Sequence, residues 1–185
     1  AFREVTDKEE IRKIFAEAAK AGRAGAAVSK DPGNVLPLFA HPSGFGRIAI
    51  AYGKDKICSI PCGMDTDMDF LFSELSELAG KVECFAMCGL KEYLSYLPGA
   101  KKENSFDVIV AAYLLNPLKS DYDYEDVARE QLNLLIDEKA DDAAKACYEA
   151  YTAYAAAPIL EEKLREQEMD RLFFDIEMPL VFTLF

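Results

Sequence analysis

The 185 residues carry 21 Lys plus Arg against 33 Asp plus Glu, a formal charge of −12, and 51% of them are hydrophobic. Those figures exclude a disordered or fibrous chain, because a chain of this size can bury roughly 70% of its unfolded surface around one core. They also argue against a free-standing nucleic-acid binder, whose affinity rests on Lys and Arg neutralising phosphates.

No apolar run reaches the roughly 20 residues of a membrane span; the longest, Val108 to Leu115, holds eight. The N-terminus has no basic region followed by an apolar stretch, so no export signal is read there. The expectation is a soluble, cytoplasmic, single domain over residues 1–185 with no membrane contact.

In chain order, Thr6-Asp7-Lys8-Glu9 has the form of a capping box and predicts a helix whose apolar face is Ile11, Ile14, Phe15 and Ala18. Ala24 to Val28 predicts a first strand, followed by a loop rich in Pro and Gly. Arg47 to Tyr52 and Lys56 to Ile60, joined by Gly53-Lys54-Asp55, predict a hairpin, so the sheet opens with three antiparallel strands. The Asp65, Asp67, Asp69 run lacks the Gly and Glu that a calcium loop needs at positions 6 and 12, where Phe70 and Ser76 stand. Those acids instead suit a helix N-terminus, with Phe70, Leu71, Leu75 and Leu78 as its buried stripe.

A short strand over Val82 to Phe85 and a brief helix from Leu90 to Leu97, stopped by Pro98-Gly99, come next. From Phe106 the pattern is helical, with one helix through Ile109, Ala112 and Tyr113 and another starting at Asp123 or Tyr124. An alanine-rich helix from about Ala140 to Leu164 is expected to break at Pro158. A strongly apolar helix from Leu172 reaches the last residues, which suggests that it continues into a longer chain. Strands followed by helices predict an α/β fold, a mixed sheet flanked by helices.

The five cysteines have no secretory context, so reduced thiols are expected. Cys58, Cys62, Cys84 and Cys88 form two Cys-x3-Cys pairs, a spacing open to zinc, although Cys58 and Cys84 sit in strand-like apolar runs and read better as small core residues. His41, the one histidine, has no evident Ser or Cys partner for nucleophilic chemistry.

Three stretches carry a family resemblance. Phe106-Asp107-Val108 leading to Ala112-Tyr113-Leu114-Leu115, Tyr124-Glu125-Asp126-Val127-Ala128, and Asp175-Ile176-Glu177-Met178-Pro179-Leu180 resemble, in order and spacing, the 3′-5′ exonuclease domain of bacterial DNA polymerase I, a family A polymerase. The resemblance implies a ribonuclease H-like fold, with a polymerase domain of the same parent chain as partner.

Active members of that family cleave with two metal ions about 4 Å apart, held by hard carboxylate oxygens. The ligands come from Asp-x-Glu on the first strand, an Asp after an Asn in a second motif, and a Tyr-x-x-x-Asp helix. The corresponding positions here are Ser29 and Asp31, then Gly89, Lys91 and Tyr93, then Tyr154 and Pro158. At most one carboxylate of four remains, and Lys30 beside it repels cations. The resemblance therefore implies a degenerate exonuclease domain with no catalytic residue, metal or cofactor of its own. It would act as a structural module of a DNA-directed DNA polymerase, a nucleotidyltransferase of DNA replication and repair. DNA would be held through the parent chain and weakly or not at all by this domain. The alternatives are a working metal-dependent 3′-5′ exonuclease with altered ligands, and a zinc module built on the four cysteines.

Overall fold

A computed structural model describes residues 1–30 and 41–183. Its six-stranded sheet has the order β1-β4-β3-β2-β5-β6, built from β1 Phe2–Glu4, β2 Arg23–Lys30, β3 Phe45–Gly53, β4 Lys56–Pro61, β5 Cys84–Met87 and β6 Ser105–Asp107. β2, β3 and β4 are antiparallel neighbours, as the hairpin pattern requires, while β2–β5, β5–β6 and β1–β4 pair in parallel. The sheet is therefore mixed, with β3 the one strand that runs against the rest.

The two faces differ in side-chain size. Ala24, Ala26, Val28, Ile48, Ile50, Cys58 and Ile60 join one large core cluster with α1 Lys8–Lys20 and α2 Met68–Lys81. On the other face Ala27, Ala49, Ala51 and Ile57 meet Ala146, Cys147 and Ala150 of α5, the long helix Asp142–Glu166. Small residues on both partners let the helix backbone lie close to the strands. A Cβ added to Gly25 would stand 2.2 Å from the Ala150 carbonyl oxygen and 2.5 Å from the Tyr154 nitrogen, a space that only glycine leaves free.

Several predicted elements shift. Asp7, not Thr6, caps α1, its carboxylate accepting from the Glu10 amide at 3.0 Å. The Thr6–Glu9 capping box is corrected accordingly; aspartate is the stronger cap of the two adjacent candidates. Asp67 caps α2 as the acidic run suggested, at 2.8 Å from the Phe70 amide. The strand expected at Val82 to Phe85 lies two residues later, and the predicted helix after Leu90 is a 3-10 helix, Lys91–Tyr96. β1 and β6 have three residues each, too few to show a period.

α3 spans Val108–Leu115 and α4 Tyr124–Leu132, the latter closed by a reciprocal Asp123–Asp126 capping box. α5 runs unbroken through Pro158. A proline inside a helix costs about 3 kcal/mol, and the burial of Ala153, Ala156, Ala157, Leu160 and Leu164 on both sides of it outweighs that. The closing helix is two pieces, a π-helical segment Leu172–Glu177 and α6 Met178–Thr183. Its Phe173 is fully enclosed, 4.7 Å centroid to centroid from Phe106.

Candidate functional site

Parallel strands β2, β5 and β6 end side by side, with Ala26 opposite Met87 and Met87 opposite Asp107. Ligands of open α/β sheets bind beyond such carboxyl ends. A groove of about 540 Å³ lies there, lined by Cys88, Gly89, Leu90, Lys91, Glu92, Ser95 and Asp107.

Asp107 organises this end. Only 3% exposed, it accepts from the backbone amides of Gly89 at 3.2 Å and Leu90 at 2.9 Å, and from those of Ile109 at 3.0 Å and Val110 at 3.3 Å. One carboxylate thus caps α3 and ties down the turn after β5, where Gly89 takes a φ of 89°. Burial raises its pKa and the four amides oppose the rise. Its lone pairs are committed to the backbone, so Asp107 is a structural carboxylate.

The surrounding groups are acidic or phenolic. Glu149 on α5 sits beside the end of β5, where its carbonyl oxygen receives the Cys88 thiol at 3.9 Å. Burial, with Glu92 adding like charge, pushes the Glu149 carboxyl up to about 7. Tyr93 and Tyr124 are both raised, first by burial, with Glu149 contributing to each. The Cys88 thiol is raised well above its ordinary value by burial, then by Glu149, Asp107 and Asp123. It is therefore a protonated, unreactive thiol at neutral pH. Among the described residues no group of three His, Cys, Asp or Glu side chains is placed to hold a metal ion.

The positions singled out in the sequence divide between the two ends of the sheet. Ser29 lies near the end of β2, in register with Arg47 of β3. Cross-strand partners have Cβ atoms about 5 Å apart, and Arg47 is 4% exposed, donating to Ser59 Oγ at 2.6 Å and Glu4 Oε2 at 3.2 Å. Those contacts carry the guanidinium across β4 to β1, on the far side of β3 from Ser29, whose buried Oγ has no hydrogen-bond partner among the described residues. Asp31 lies outside the described residues.

Lys91, exposed, opens the 3-10 helix, and Tyr93, partly buried, packs on the Phe45 ring at 5.5 Å. Phe45 pairs with Lys30, so Ser29, Lys91 and Tyr93 gather at the groove end of the sheet. Tyr154 does not join them. Its ring carries the Arg23 guanidinium at 4.3 Å, at the start of β2, six residues or about 20 Å from Ser29. Pro158, one turn further along α5, lies beyond Tyr154 on the side away from Ala150. Of α5, Glu149 meets the end of β5 through its backbone carbonyl; its signal in the sequence is an acid in an alanine-rich stretch, five residues before the tyrosine that the motif match selects.

Cys58 on β4 and Cys84 on β5 are separated by β3 and β2, three strand spacings or about 14 Å, whereas zinc thiolates converge at 2.3 Å from one ion. None of the five cysteines is in a disulfide, and Cys58 and Cys147 are buried. His41 does have a serine partner, contrary to the sequence reading: Nδ1 lies 2.5 Å from Ser43 Oγ and Nε2 lies 3.1 Å from Asp69 Oδ1. The Ser43 amide also points to Nδ1 at 3.2 Å, and Ser43 Oγ accepts from the Phe45 amide at 3.3 Å. These bonds fold the turn into β3 on itself and pin it to α2. The neighbouring Gly44 amide donates to the His41 carbonyl at 2.8 Å, so the amides of Ser43, Gly44 and Phe45 are all engaged within the turn.

No protein-family model matches the sequence, and no curated protein does. Solved structures do match. The chain is similar over its full length to the POL domain of Pol1 from M. smegmatis in complex with DNA primer-template and dNTP, at TM-score 0.72 and 19% identity. It is similar over 99% of its length to Brucella melitensis NrnC bound to pGG, at TM-score 0.66 and 13% identity, covering 91% of that chain. The catalytic core of RRP6 from Trypanosoma brucei matches over 98% of the chain at TM-score 0.71 and 13% identity, with 52% of that protein covered.

The fold is ribonuclease H-like. The chain spans 31% of the mycobacterial polymerase chain. The end of β2 that the resemblance assigns to metal ligands carries the Ser29 hydroxyl.

Proposed function

We propose that this chain is a degenerate 3′-5′ exonuclease-like domain that serves as a structural module of a DNA-directed DNA polymerase, working in the cytoplasm without catalytic residues or bound metal of its own. The observation that carries the proposal is the pair of residues at the strand end: Ser29 and Tyr93 offer a hydroxyl and a phenol at positions where the resemblance implies carboxylate ligands. Two divalent cations need several carboxylate oxygens, which neither a serine hydroxyl nor a tyrosine phenol supplies. Tyr93, packed on Phe45, offers a phenol held protonated by burial in place of a carboxylate. The single domain 1–185 joins a polymerase domain of its parent chain, a reading supported by its similarity to part of a polymerase chain with primer-template bound.

The test is an incubation with 5′-labelled single-stranded DNA and Mg²⁺ or Mn²⁺. The proposal predicts no ladder of shortened products above a metal-free control. Steady nucleotide release that Asp31→Ala abolishes would establish the alternative, an active exonuclease with altered ligands.

A further inference from the structure

We propose that Ser43 is an acylation site, a serine whose hydroxyl is prepared by His41 to take an acyl group from an activated ester, independently of the exonuclease-like role of the domain. Three side chains from two separate segments meet there. Ser43 Oγ lies 2.5 Å from His41 Nδ1, and His41 Nε2 lies 3.1 Å from Oδ1 of Asp69 in the first turn of α2. The imidazole is mostly enclosed, with the Phe72 and Tyr96 ring centroids at 5.7 and 5.8 Å, so its orientation is held by packing.

The hydrogen bonds decide where the ring proton sits. A backbone amide can only donate, and the Ser43 amide points to Nδ1 at 3.2 Å. Nδ1 therefore carries a lone pair, and the proton is on Nε2, facing the Asp69 carboxylate. That is the tautomer of a general base: Nδ1 can receive the serine proton, and Asp69 steadies the imidazolium that results. Ser43 Oγ accepts from the Phe45 amide at 3.3 Å with one lone pair, which leaves the other for attack. Pro42 and Gly44 on either side are exposed, and a Cβ built on Gly44 would meet nothing within 4 Å, so a small acyl donor has room at the turn.

In the step itself, Oγ bonds to the ester carbonyl carbon while its proton passes to His41 Nδ1. The tetrahedral intermediate then expels the alcohol or phenol oxygen, which leaves with the proton from Nδ1. The aromatic flank of His41 and the net charge of −12 favour a neutral, aryl-bearing donor over an anionic one. The amides of Ser43, Gly44 and Phe45 are engaged within the turn, so none of the three is free to hold an oxyanion. Hydrolysis of the acyl serine is correspondingly slow, and the product is one acyl group retained per chain.

Treatment of the 185-residue chain with p-nitrophenyl acetate tests this. The expected result is a burst of p-nitrophenolate approaching one equivalent per chain, with the acetyl group mapped to Ser43 by peptide mass spectrometry. His41→Gln should slow that burst by about 100-fold. Acetylation of the native chain that is absent, or confined to lysines and the amino terminus, would overturn the proposal, and this readout needs no variant. A His41→Gln chain that acetylates Ser43 as fast as the native one would overturn it as well.

Discussion

Asp107 accepts four backbone hydrogen bonds while almost fully enclosed, and that arrangement explains why one acidic residue is tolerated in the core beneath the groove. Asp107→Ala would leave the Gly89 and Leu90 amides unpaired and uncap α3. The expected loss is about 3 kcal/mol, read as a lower urea midpoint. Asp107→Asn keeps an acceptor oxygen, so its loss should be less than half as large. The same scale shows what the sequence could and could not reveal. Ser29 and Tyr93 were legible from residue type alone as departures from the carboxylate pattern. Arg47, in register with Ser29, was not, because register depends on how two strands slide past each other. Glu149 was hidden for a related reason: an isolated acid on an alanine-rich helix reads as solvated until the tertiary structure encloses it.

At the scale of elements, the α5–sheet contact is governed by small side chains. Gly25→Ala would drive a methyl group into the α5 backbone and push the helix off Ala27 and Ala49. Overpacking of this kind costs about 1–3 kcal/mol, measurable as a fall in thermal midpoint of roughly 2–10 °C for a chain of this length. The central hairpin, α1 and α2 were legible because their periods extend over enough residues to be read. β1 and β6 were not, since three residues carry no period and their pairing with β4 and β5 is made by chain segments distant in sequence. Pro158 misled for a physical reason as well: the local penalty of a proline is real, but apolar burial along the inner face of α5 exceeds it. Tyr154 follows the same lesson, its motif spacing matching while its ring is engaged with Arg23 at the far end of β2.

For the whole molecule, the fold class was legible from strand and helix order together with the three resembling stretches, and the ribonuclease H-like similarity agrees with it. A charge of −12 sets the domain as a whole against a polyanion. Binding to single-stranded DNA by the isolated chain should accordingly be undetectable at 150 mM salt and remain so with Mg²⁺ present, as fluorescence anisotropy can check.

The central claim is that the strand-end cleft no longer holds the metal pair of a working exonuclease. Titration of the chain with Mn²⁺ in an isothermal calorimeter at neutral pH tests it most directly. The account predicts no saturable heat up to millimolar Mn²⁺, and no change when Asp31 is replaced by Ala. Saturable binding of one or two ions per chain that Asp31→Ala removes would contradict it.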